Sequence, residues 1–135
     1  MKRFVLDASA VIAFFADRPG AVRVEDLLRQ AAEGQHQLYL SVVDWGEVYA
    51  SIWRARGQPA ADQKLAELSQ LPIEVVDVDM PTAQLAARLQ AEHNLPYAAC
   101  FAGALAIERK AVLVTEDHGF QRVQKLVNVL WLTET

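Results

Sequence analysis

Five short apolar runs, spaced by longer amphipathic segments, limit what this chain can fold into. The runs are Phe4-Val5-Leu6, Leu38-Tyr39-Leu40, residues 73–78, Val112-Leu113-Val114 and residues 127–132. Their length and β-branched content predict strands rather than helices. Between them apolar residues recur at helical spacing. Ser9 is placed to cap a helix over residues 10–15, and Val24, Leu27, Leu28 and Ala31 mark one over 21–33, ended by Gly34. Asp44 opens a helix carrying Val48, Tyr49, Ile52 and Trp53 to Gly57, and Pro59 opens another through Leu65, Leu68 and Leu71. Pro81 and Pro96 start two more, reaching His93 and Arg109. Strands alternating with helices predict an α/β fold, a three-layer α/β/α sandwich with a central, mainly parallel sheet. No linker, repeat or low-complexity segment divides the chain, so residues 1–135 are expected to form a single domain.

Composition narrows the class of function. Apolar residues make up 53% of the chain, which excludes a disordered or collagen-like protein. The single cysteine, Cys100, cannot build an internal disulfide framework and reads as a small core residue. Asp7 interrupts the first hydrophobic run, leaving no secretory leader, and no run approaches the length of a membrane span. A cytoplasmic protein with no membrane partner is the expectation. The formal charge of −4 excludes a basic nucleic-acid coat. It does not exclude an enzyme that meets phosphate through a cation and local arginines. Arg18, Arg23, Arg54, Arg56 and Arg122 are the candidates, although most are expected to be solvated surface charges.

Three carboxylates stand at the edges of these apolar segments. Asp7 ends the first strand, where ligands of open parallel sheets bind. Glu47 lies in VVDWGEV; Asp44 and Glu47 have capping-box spacing, so a helix-starting role competes with a chemical one. Asp117, in Thr115-Glu116-Asp117-His118-Gly119, follows the fourth strand, where a turn would equally explain it. Thr115 could hydrogen-bond a ligating carboxylate. His118 is expected to be a turn-exposed side chain. Acids drawn from distant parts of a small α/β chain suggest a divalent cation, which takes oxygen ligands. The segment Leu95-Pro96-Tyr97-Ala98-Ala99-Cys100-Phe101 has the same build but carries no acid, and a core helix accounts for it.

Taken together, FVLDASAVIAFF, VVDWGEV, LPYAACFAGALA and LVTEDHGFQRV resemble the PIN-domain ribonucleases, and among them the VapC-type toxins of type II toxin–antitoxin pairs. The resemblance spans essentially the whole chain. It implies a metal site and catalytic centre at Asp7, Glu47 and Asp117, with Ser9 and Thr115 as the hydroxyls beside it. The third carboxylate of the family pattern falls on Ala99, where Leu-Pro-Tyr-Ala-Asp-Cys-Phe would be expected. The resemblance therefore implies a Mg2+- or Mn2+-dependent endoribonuclease that is inactive or weakened in this chain. One exchange in an otherwise intact set suggests an introduced Asp→Ala substitution, natural degeneration being the other origin. The partners it implies are RNA, a cognate VapB-type antitoxin and a second copy in a homodimer, for which Trp45, Tyr49, Ile52 and Trp53 offer apolar surface. A non-catalytic PIN-fold module that retains antitoxin or RNA binding is the alternative. A haloacid-dehalogenase-like phosphatase would need a second acid at Ser9, and a response-regulator receiver would need paired acids at the first strand. The sequence supplies neither.

Overall fold

Apolar alternation in the first strand dictates which layer each helix joins. A computed structural model describes residues 1–133. In β1 (Lys2–Leu6), Phe4 and Leu6 point to one face and Val5 to the other, the period of two that a strand imposes. Val5 packs with Tyr39, Leu113 and the residues of α5 (Met80–His93) and α6 (Tyr97–Arg109). Phe4 and Leu6 pack with residues of α1 (Ala8–Phe15), α2 (Ala21–Ala32), α3 (Val42–Arg56) and α4 (Gln58–Leu68). The result is the expected sandwich, with one helical layer on each side of the sheet.

The remaining strands are β2 (His36–Ser41), β3 (Glu74–Val76), β4 (Val112–Thr115) and β5 (Val129–Trp131). All pairings are parallel and the order is β3-β2-β1-β4-β5. Val5 is paired with Tyr39 on one side and Leu113 on the other, so β1 lies at the centre. The chain leaves β1 toward β2 and later returns to β4 on the opposite side. This reversal of strand order falls between β1 and β4, and the carboxyl edge of such a switch point is where open parallel sheets hold their ligands.

Several boundaries differ from the sequence reading. Asp7, not Ser9, caps α1, its side chain accepting from the Ala10 amide at 2.9 Å. Ser41 caps α3 by accepting from the Val43 amide at 3.2 Å, so Asp44 lies inside the first turn instead of preceding it. The expected Asp44–Glu47 capping box is thereby displaced. Leu71 falls beyond the end of α4, and the outer strands are three residues each. A 3-10 helix, His118–Val123, follows β4, where the sequence points only to a turn. No helix among the described residues is long and apolar enough to cross a membrane.

Candidate functional site

The carboxyl edge of the sheet gathers residues from three chain segments. Asp7 follows β1, Ser41 ends β2 ahead of α3, and Thr115 ends β4. Parallel topology also brings helix N-termini to this edge, because each helix must run back before the next strand starts. Acids there meet the positive ends of the helix dipoles.

Asp7 is buried, yet its carboxylate is well supplied with donors. Oδ1 accepts from the Ser9 hydroxyl at 2.7 Å and the Ala10 amide at 2.9 Å. Oδ2 accepts from the Thr115 hydroxyl at 2.5 Å. Both hydroxyls are oriented by backbone amides, Glu116 N–H donating to Ser9 Oγ at 2.9 Å and Asp117 N–H to Thr115 Oγ1 at 2.8 Å. Their own protons are thus free to face Asp7. A carboxylate has roughly four acceptor positions, and these three bonds leave one open on Oδ2. Burial pushes the Asp7 pKa up to about 6, against the three hydrogen bonds that lower it, and the charge of Asp117 raises it further.

Asp44 belongs to the same group. Its Oδ1 accepts from the Ala8 amide at 3.0 Å, which ties it to the residue after Asp7. Oδ2 is buried and has no hydrogen-bond partner. Burial first, then the neighbouring charges of Asp7 and Glu47, raises its pKa well above the usual carboxylate range. The sequence reading assigned Asp44 to helix capping and missed this placement. The overlooked signal was Ser41, three residues earlier, which is the better cap and leaves the acid in the first turn.

Glu47 and Asp117 flank the pair from more exposed positions. Partial burial raises the Glu47 pKa, opposed by the charge of Arg54. Asp117 caps the 3-10 helix, its Oδ1 accepting from the Gly119 amide at 2.8 Å. Ala99 lies half-buried in the first turn of α6, a helix that packs on β1 and α3, and offers only a methyl group. Among the described residues no three His, Cys, Asp or Glu side chains form a ready-made metal-holding group. What the edge does present is an orphaned buried oxygen on Asp44 and an open acceptor position on Asp7. Both suit a hard cation that keeps part of its water shell.

Other expected contributors behave differently. His118 is not turn-exposed; its ring stacks on Trp131 at 5.1 Å and Nε2 lies 3.1 Å from the Thr133 hydroxyl. Arg18 pairs with Glu116 at 2.8 Å, while Arg23 and Arg122 donate to the carbonyls of Trp131 and Asn94. Cys100 is buried in the core, as expected. Trp45 and Trp53 are partly exposed on α3, with Tyr49 between them in a continuous aromatic row.

A profile of the PIN domain matches residues 4–126. No curated protein matches the chain closely in sequence. Solved structures do resemble it in fold. VapBC2 from Rickettsia felis, bound to a DNA fragment from its promoter, has a TM-score of 0.75 at 16% identity, covering 95% of this chain and 97% of that one. VapBC-1 from nontypeable Haemophilus influenzae has a TM-score of 0.73 at 18% identity, with 98% and 99% covered. VapC20 of Mycobacterium tuberculosis, described as a sarcin–ricin-loop-cleaving toxin, has a TM-score of 0.70 at 15% identity, with 89% and 94% covered.

Proposed function

Because the chain belongs to the PIN-domain family, we propose that it is a VapC-type endoribonuclease toxin with a carboxylate-bound Mg2+ or Mn2+ at the carboxyl edge of its sheet, inactive or weakened by Ala99. The observation that carries this reading is the buried Asp7 carboxylate at the carboxyl edge between β1 and β4, held by two hydroxyls and one amide with an acceptor position left open. Holding a dry, like-charged set of acids is costly, and a shared cation offsets that cost. Support for the toxin assignment comes from the fold likeness to VapBC assemblies and to a VapC described as a sarcin–ricin-loop-cleaving toxin.

In this reading Asp7 is the cation's direct protein ligand, and Glu47 and Asp117 act from the rim, through water or at a second ion. Ser9 and Thr115 would hold the Asp7 carboxylate in place, leaving one acceptor position on Oδ2 for the cation. When bound, the metal would lower the pKa of a coordinated water and neutralise charge developing on the phosphate. An acid at position 99 would complete the set from the opposite helical layer, and Ala99 removes that charge and both its oxygens.

The partner surfaces are also proposals. A cavity of about 190 Å3 between α1, α3 and α4 has an apolar floor of Ile12, Phe15 and Ile52 and a rim of Arg18, Arg56 and Lys64. That combination fits an acidic, amphipathic antitoxin segment. The aromatic row Trp45-Tyr49-Trp53 fits a homodimer contact. Cleavage of RNA by the Ala99→Asp variant, with a chelator and Asp7→Asn as controls, tests the enzyme. Retained antitoxin binding by an Ala99→Asp variant that cuts no RNA would instead favour the non-catalytic binding module.

A further inference from the structure

We infer that Asp44 is itself a cation-binding carboxylate, and that Asp44 and Asp7 form a two-acid site for a divalent metal in this chain even with Ala99 in place. The inference deepens the metal-nuclease reading above and rests on it only in taking this sheet edge as the cation's.

Three observations carry it. Asp44 is almost wholly buried, at 2% exposure, yet Oδ2 has no hydrogen-bond partner. A buried carboxylate oxygen without a partner is destabilising, so a role in folding alone does not explain it. The bond from the Ala8 amide uses only Oδ1, and a threonine hydroxyl would accept it without a second, orphaned oxygen. Helix capping is already supplied by Ser41. Finally, that same bond fixes Asp44 beside Asp7, whose Oδ2 retains an open acceptor position. Mg2+ commonly binds through one or two carboxylates and keeps several waters, so two acids at one edge meet its needs where three do not converge.

Mn2+ binding, followed by the electron-spin resonance of the free ion and by the metal-induced rise in Tm, tests this in two backgrounds. The unmodified chain should bind Mn2+, and Asp44→Asn should weaken that binding on the order of tenfold or more, since affinity tracks ligand charge. Asp44→Thr, which keeps an acceptor for the Ala8 amide, should do the same and guards against one variant misfolding. Equal Mn2+ binding by the unmodified chain and a folded Asp44 variant overturns the inference. So does binding by Ala99→Asp when the unmodified chain binds none, an outcome that leaves the nuclease reading intact. Absence of binding in both backgrounds overturns both. Anomalous diffraction from a Mn2+-soaked crystal of the unmodified chain needs no variant. An ion against Asp44 Oδ2 supports the inference, and one held by Asp7 without Asp44 contradicts it.

Discussion

Asp7 is buried and still attracts three donors, so its energetics are sensitive to small changes. Thr115 is fully buried and donates to Asp7 while accepting from the Asp117 amide. Thr115→Val keeps the shape and strands both partners, which should cost about 1–3 kcal/mol in urea unfolding. In an Ala99→Asp background the same change should cut metal affinity or cleavage by about 10–100-fold, the usual effect of removing a group that orients a ligand. Proton linkage gives a second expectation. The Asp7 pKa is raised from 3.8 to about 6, so the folded state binds its proton more tightly than the unfolded chain does. Metal-free stability should therefore rise as pH falls from 7 through 6 toward 4, by on the order of 3 kcal/mol from this group. Asp44, shifted in the same direction, adds to the trend. Urea titrations at pH 7, 6 and 5 should show the rise, and Asp7→Asn should flatten it; a stability that falls steadily over this range contradicts the assignment. The placement of Asp7, Glu47 and Asp117 near the carboxyl edge of the sheet was legible in the sequence because each acid stands out beside an apolar run. Asp44 was not, because its spacing from Glu47 mimics a helix start and only tertiary contact reveals the Ala8 bond.

At the scale of elements, the strand–helix alternation was readable because a parallel sheet needs buried runs and returning helices. Boundaries were less so. Residues 73–78 look β-like throughout, but only three of them find partners on β2, since pairing rather than propensity ends an edge strand. The 3-10 helix after β4 escaped notice because six residues containing a glycine carry little periodicity. Its anchor is Phe120, 1% exposed, whose burial holds the turn that presents Asp117. Phe120→Ala should cost about 3–5 kcal/mol by denaturation, the range for deleting a buried aromatic side chain. At the start of α3, Ser41→Ala should cost about 1 kcal/mol, a cap's usual worth. A cost near zero there would return the capping role to Asp44.

The whole molecule is a PIN-domain fold in which Asp7 and Asp44 lie at the carboxyl edge of the sheet, and the proposed partner surfaces lie on its helices. Reversing charge at the cavity rim with Arg56→Glu and Lys64→Glu should weaken binding of an acidic antitoxin segment at least about tenfold, chiefly through lost electrostatic complementarity. Titration calorimetry against the antitoxin tail would show it, and unchanged affinity would move the groove elsewhere. The proposed function turns on Ala99, which offers only a methyl group where the family pattern would place an acid. RNA cleavage in Mg2+ or Mn2+ by this chain, side by side with its Ala99→Asp form, is the most direct measurement. Cleavage by Ala99→Asp alone, abolished by a chelator and by Asp7→Asn, is the predicted result. Equal cleavage by both forms, or none by a folded, metal-binding Ala99→Asp form across tRNA, rRNA and mRNA, would contradict the account.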